Sequence, residues 1–230
     1  MNKIEAIFCD MDGCAVKYPN EPWHSSWGAL RLCLSEENKK LWDAAGCRYY
    51  GKQDKYGEWC ECYAGLLKGI SVKQAESFLI PIPYNLGFKE FFSNGFLEVE
   101  EKKILKGEIF KGILSGGINI SADKIKEEMG FDFALSNRLL AKNGFFTGKI
   151  EVNVDLYKKT ELLSDWLLEH NIPPREVCYI GDSDTDRGCL GLAGFPVVIN
   201  PKESLKEYAK AKEIPIINDF RQLSEIFELK

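Results

Sequence analysis

The sequence predicts an α/β fold, a three-layer core around a parallel sheet with a small helical cap inserted after the first strand. Short apolar runs of strand character at Ile4–Cys9, Ile109–Leu114, Val177–Ile180, Pro196–Ile199 and Ile214–Ile217 alternate along the chain with segments of helical period. Strands that alternate with helices form parallel sheets covered on both faces. Between the first strand and the rest, from about Val16 to Ile80, strand alternation stops and apolar residues recur only at helical spacing. A core of residues 1–15 and 81–230 with a cap over 16–80 follows.

Taken in order, Ile4–Cys9 reads as a strand buried on both faces that ends abruptly in Asp10-Met11-Asp12-Gly13. The cap carries helices over Ser26–Leu34, Glu36–Cys47, Tyr56–Lys68 and Ser71–Leu79. Trp23, Trp27, Trp42 and Trp59 all fall in it, enough ring surface for a small core of its own. Ile80-Pro81-Ile82-Pro83 is a stiff, extended return to the main body. Leu86–Asn94 and Leu97–Lys106 read as helices, and Ile109–Leu114 as a strand running into Ser115-Gly116-Gly117 ahead of a helix over Ser121–Met129. Phe131–Ser136 is a further strand, and Arg138–Val152 reads as a hairpin turning at Lys142-Asn143-Gly144 on the sheet margin. Lys158 and Lys159 open a helix to His170, which Pro173-Pro174 stop, and the strand Val177–Ile180 hands over to Gly181-Asp182-Ser183-Asp184-Thr185-Asp186. The tail continues as strand, helix over Lys202–Ala209, strand, and helix over Phe220–Phe227.

Composition removes several classes of partner. The formal net charge is −5 with lysines and acids interspersed, so there is no basic footprint for a nucleic acid. No apolar run is long enough to span a bilayer and no signal-peptide layout opens the chain, so a cytoplasmic protein without a membrane partner is expected. The eight cysteines follow no paired metal or redox spacing and several sit within apolar runs, as reduced structural thiols would.

In a parallel sheet all strand C-termini point to one edge. That edge collects Asp10 and Asp12, Ser115 with Gly116, Lys159 and the Asp182 cluster. Two carboxylates crowded there repel unless a hard cation such as Mg²⁺ joins them. A strand ending in a hydroxyl and two glycines exposes amides able to hold an anion. A carboxylate nucleophile, a second carboxylate for proton transfer, anion-binding amides, a lysine and a metal-binding carboxylate make a kit for phosphoryl transfer through an aspartyl-phosphate.

Through Asp10-Met11-Asp12-Gly13, Ser115-Gly116-Gly117, Lys159 ahead of its helix and the Gly181–Asp186 stretch, in that order, the chain resembles the haloacid dehalogenase-like hydrolase superfamily. Ser136-Asn137-Arg138-Leu139 and Thr147-Gly148 place the likeness in the branch similar to phosphoserine phosphatase. The resemblance implies a Rossmann-like core and a Mg²⁺-dependent phosphomonoesterase acting on a small phosphorylated metabolite. Asp10 would attack phosphorus, Asp12 would protonate the leaving oxygen, Ser115 and the Gly116 amide would hold phosphate oxygens, and Lys159 would neutralise Asp10 and the phosphoryl group. Mg²⁺ would sit between Asp10, the Asp12 backbone carbonyl and Asp182, with Asp186 in support. The alternatives are phosphoserine phosphatase proper, a phosphotransferase or mutase of the same superfamily, and an inactive binding or scaffold protein on this fold.

The chain departs from the family pattern at Cys14, where threonine is usual, and at Tyr63, which aligns with the cap arginine that binds the substrate carboxylate in phosphoserine phosphatases. Arg48 and Lys68 are the nearest cationic alternatives. Glu21, Trp27, Trp59 and Tyr63 are the candidate specificity residues of the cap, and its rings suit a leaving group with an apolar or cationic face.

Overall fold

The structure, a computed structural model, describes residues 4–20, 24–95 and 105–228. Glu21, Trp23 and most of the helix expected over 97–106 lie outside these residues. Among the described residues the sheet has seven strands in the order β4-β3-β2-β1-β5-β6-β7. These are β1 (Ile4–Cys9), β2 (Leu105–Ile118), β3 (Phe133–Lys142), β4 (Phe145–Glu151), β5 (Val177–Gly181), β6 (Phe195–Ile199) and β7 (Ile216–Ile217). All neighbours pair in parallel except β3 with β4. The sheet is thus a Rossmann-like core with one antiparallel margin. Strand β1 lies at the centre and is buried except at Glu5, and β5 is buried at every position, as their mostly apolar runs require.

The insert folds as α1 (Ser26–Arg31), α2 (Glu36–Tyr49), α3 (Tyr56–Leu66) and α4 (Val72–Leu79). Three of these start on a serine whose side chain accepts a backbone N–H of the first turn, Ser25 from Gly28, Ser35 from Asn38 and Ser71 from Gln74. In the core follow α5 (Phe88–Glu90), α6 (Asn119–Met129), α7 (Lys159–Glu169), α8 (Arg187–Leu192), α9 (Glu203–Ala211) and α10 (Gln222–Glu228).

Four expectations are corrected. The strand read over Ile109–Leu114 is β2, which starts at Leu105 and runs through both glycines to Ile118, so Leu105 and Lys106 are strand and not helix. Pairing of Leu105 opposite Ile4 and of Ile118 opposite Asn137 outweighs local periodicity. The helix read from Leu86 starts at Phe88, because Gly87 takes a left-handed φ of 76°, and it continues as a π-turn over Phe91–Gly95. Phe131–Ser136 and the first arm of the hairpin are one strand, β3, which pairs parallel with β2 and then antiparallel with β4 through a turn at Asn143 and Gly144, both at positive φ.

The fourth correction concerns the insert's interior. Its buried side chains, Leu30, Trp42, Tyr63, Leu67 and Leu79 among them, are continuous with Ile4, Ile7, Ile113 and Phe88 in one apolar cluster on one side of the sheet. The insert shares the core because its ends are bound to the main body in two places. The outgoing and returning connections pair side by side, with Lys17 N–H donating to the Pro83 carbonyl and Asn85 N–H to that of Ala15. At the far end the chain at Gly69–Val72 lines the β3–β4 hairpin, exchanging bonds with Gly144 and Phe146. All eight cysteines are free thiols. Among the described residues no helix is long and apolar enough to cross a membrane.

Candidate active site

Asp10 leaves β1 with its backbone N–H bonded to the Ile180 carbonyl of β5, which places its side chain at the C-terminal edge of the sheet centre. Its Oδ1 accepts the Met11 N–H at 2.7 Å and lies 3.3 Å from Lys159 Nζ. Burial pushes the Asp10 carboxyl up to about 6, against the pull of Lys159, and Asp186 adds to the rise. Gly13 holds the loop open at φ +90°, and a Cβ there would lie 2.2 Å from Asp182 Oδ2. Only glycine lets the Asp10 and Asp182 loops approach this closely. Cys14, in place of threonine, still bonds across to β5 through its thiol, 3.3 Å from the Ile180 carbonyl.

Asp12 is turned to the cap side. Both its oxygens are taken by Ser26 at the start of α1, Oδ1 by the backbone N–H and Oδ2 by the hydroxyl, each at 2.7 Å. Desolvation pushes the Asp12 carboxyl up to about 7, with the Ser26 bonds opposing and Asp10 adding to the rise. A group so poised can carry a proton near neutral pH.

Lys159, the first residue of α7, is buried between Asp10 and Asp186. Burial opposes its charge, but the two carboxylates outweigh this and hold the ammonium above its ordinary range. Asp186 is saturated. Its Oδ1 accepts Lys159 Nζ and the Tyr179 hydroxyl, and its Oδ2 accepts the Asp182 and Ser183 N–H groups and the Ser183 hydroxyl. It therefore orients the lysine and the Asp182 loop more than it offers itself as a ligand. Asp182 is the opposite case, with a buried Oδ1 that has no hydrogen-bond partner. Desolvation, then Asp10 and Asp186, push its carboxyl well above the usual range. Asp10, Asp182 and Asp186 bring oxygens within 4.8 Å of one another, and Lys159 is the one buried cation among the described residues. That surplus of negative charge and the orphaned Asp182 oxygen fit a divalent cation with oxygen ligands.

Ser115 and Gly116 lie on the C-terminal stretch of β2 beside this group. The Gly116 carbonyl is turned to the cap and accepts three donors, Trp27 Nε1 at 3.0 Å, the Tyr56 hydroxyl at 2.9 Å and Asn137 Nδ2 at 3.0 Å. The Gly117 N–H closes on the Ser115 hydroxyl at 3.2 Å. A Cβ on Gly117 would lie 2.3 Å from Met11 and 2.7 Å from Asp12, so the carboxylate loop packs directly on this backbone.

These groups floor a cavity of about 460 Å³ whose opposite wall is the insert. Trp27, Trp59 and Tyr63 border it, and so does Trp42, which stacks on Tyr63. Arg48 lies over the Tyr49 ring and Lys68 against Gly148, and neither borders the cavity. Glu21 is outside the described residues. Ser26, Tyr56, Tyr179 and Asn137 carry no local signal of a role at the site in the sequence. Their partners are remote in the chain, and a serine preceding a helical run reads only as a cap.

Residues 95–191 match the haloacid dehalogenase-like hydrolase family. A phosphoserine phosphatase of Archaeoglobus fulgidus is 32% identical over 146 residues, 63% of this chain and 40% of that protein. One of Idiomarina loihiensis is 30% identical over 62% of this chain and 61% of its own length. The chain thus spans about half the length of these two relatives. Among solved structures, a phospho-aspartyl intermediate analogue of phosphoserine phosphatase superposes with a TM-score of 0.71 at 23% identity, covering 97% of this chain and 99% of that one. Cytosolic 5′-nucleotidase IIIB bound to cytidine reaches 0.63 at 15% identity, covering 98% of this chain and 88% of that one. At these identities the structural likeness is one of fold.

Proposed function

We propose that the chain, whose residues 95–191 match the haloacid dehalogenase-like hydrolase family, is a Mg²⁺-dependent phosphomonoesterase of that superfamily for a small phosphorylated metabolite, with Asp10 as nucleophile. The observation that carries this reading is the Asp10 carboxylate at the centre of the sheet edge, with Lys159 Nζ 3.3 Å away and the Ser115–Gly117 backbone beside it. An Asp10 oxygen forms a bond to phosphorus as the ester P–O bond breaks, and Asp12 delivers its proton to the departing alkoxide. The same Asp12 then takes a proton from water, whose oxygen displaces Asp10 from the aspartyl-phosphate and releases phosphate. Lys159 offsets the charge of nucleophile and phosphoryl group through both steps. Asp10 and Asp182 would hold Mg²⁺ with the Asp12 backbone carbonyl, and the ion would supply charge neutralisation at the phosphoryl oxygens.

The test is release of inorganic phosphate from a panel of sugar, amino-acid, nucleotide and head-group phosphates. Chelation with EDTA should abolish it and Mg²⁺ should restore it, whereas Ca²⁺, with its larger and looser coordination sphere, should inhibit. Full turnover after exhaustive chelation would refute the metal assignment of Asp182.

Ser26→Ala keeps the backbone bond to Asp12 Oδ1 and removes the hydroxyl bond to Oδ2. A hydrogen bond to a charged group contributes about 1.5–3 kcal/mol, so kcat should fall roughly ten- to a hundredfold. The KM should change little, since Ser26 acts through Asp12. A raised KM at unchanged kcat would contradict the proton-transfer role of Asp12.

A further inference from the structure

The two sides of the cavity differ in chemistry. Its floor is charged, whereas its cap wall is built of rings, Trp27, Trp42, Tyr50, Tyr56, Trp59 and Tyr63. Among the described residues no lysine or arginine stands among these rings; His24, whose Nδ1 bonds the Tyr18 carbonyl, borders the cavity beside Ser25. Arg31 is paired with Asp43 and Lys55 with Glu58, Arg48 lies over Tyr49, and none of the three borders the cavity. Lys17 and Lys202 do reach it, but both are solvent-exposed and come from the loops after β1 and β6. A carboxylate on the leaving group would therefore meet mostly ring surface, with the unpartnered Trp59 Nε1 as a neutral donor and no lysine or arginine among the rings to pair its charge.

Ring geometry narrows the choice further. Trp42 and Tyr63 are parallel within 6° but in contact, their centroids 3.6 Å apart, which leaves no slot between them. The remaining pairs are tilted. Trp27 makes 52° with both Trp42 and Tyr63, Trp59 makes 62° with Tyr63, and Tyr50 makes 90° with Trp59. A planar base is gripped between two parallel faces, and the described rings provide no open pair of that kind. A rounded cation is attracted by ring faces approaching from several directions. The wall also starts next to the phosphate loop, since Trp27 Nε1 and the Tyr56 hydroxyl bond the Gly116 carbonyl. A head group on a short spacer would meet the rings there.

Resting on the phosphatase reading above, we propose that the leaving group is a short alcohol carrying an alkylated ammonium, held by the aromatic wall with Trp59 as a main specificity residue. Nothing else in the reaction changes.

The experiment compares kcat/KM for phosphocholine, its neutral isostere 3,3-dimethylbutyl phosphate, L-phosphoserine and CMP, with p-nitrophenyl phosphate as a measure of catalysis alone. Phosphocholine is expected to exceed the neutral isostere by roughly tenfold or more and phosphoserine by a wider margin. Trp59→Leu should bring the phosphocholine-to-isostere ratio close to one, and Trp59→Phe, which keeps a ring face, should retain most of it. Calorimetric titration of Asp10→Asn with phosphocholine and with the isostere reads the same preference without turnover. Equal treatment of the two in both assays overturns the proposal, as does a preference for phosphoserine or CMP. Inactivity of the wild type towards p-nitrophenyl phosphate would instead sink the hydrolase reading, and the titration would still decide the head group. Should Trp59→Leu unfold in urea at lower concentrations, the wild-type comparison and Trp59→Phe remain decisive.

Discussion

Asp10→Asn is expected to lower turnover on p-nitrophenyl phosphate by at least roughly a thousandfold, about 4 kcal/mol of barrier, because the amide is no nucleophile for phosphorus. The fold should not suffer. Asp10, Asp182 and Asp186 bring oxygens within 4.8 Å of one another against one buried lysine, so removing a charge relieves repulsion. In metal-free buffer the variant should therefore melt at or above the wild-type temperature by circular dichroism. Such a strained cluster is the usual stability cost of a reactive site. A folded Asp10→Asn protein that retains a tenth of wild-type turnover would remove the covalent mechanism.

Lys159→Met should be damaging in both respects. The methionine fills most of the volume but leaves the buried Asp10 and Asp186 side chains, 6% and 0% exposed, without their cation. Breaking a buried pair by removing one partner costs about 3–5 kcal/mol, which a shift in the urea midpoint would report. Turnover should fall by about as much as for Asp10→Asn, because phosphate and nucleophile would then repel each other. Adding Asp186→Asn to this variant removes one uncompensated charge and should recover part of the stability but none of the activity. A double variant as unstable as the single one would mean that Lys159 acts by packing.

The carboxylate site was legible in the sequence because its elements are local. Asp10 and Asp182 each stand within one residue of the end of an apolar strand, and parallel topology sends such strand ends to a common edge. Lys159 could be placed on the same rim as the residue that opens a helix in an α/β succession. The division of labour between the acids was not legible. Asp186 is saturated and Asp182 is orphaned only because of where the Tyr179 hydroxyl, Lys159 and the Ser183 amide point. The Gly116 carbonyl likewise collects donors 89, 60 and 21 residues away in the chain, and no local pattern joins them.

Element boundaries divide in the same way. Strand β1 and the capped helices α1, α2 and α4 follow from apolar runs and from Ser25, Ser35 and Ser71, which act within a few residues of themselves. The passage of β2 through Gly116 and Gly117 to Ile118 depends on its partners β1 and β3, and the docking of the insert on the β3–β4 hairpin depends on backbone bonds at Gly69 and Val72. Short-range hydrophobic period and strand-end charge thus set the fold class and the chemistry of the floor. Trp27, Trp59 and Tyr63 were legible as candidate rings of the cap, but their angles to one another and their stacking with Trp42 came only from tertiary packing, because these are properties of side chains brought together from α1, α2 and α3.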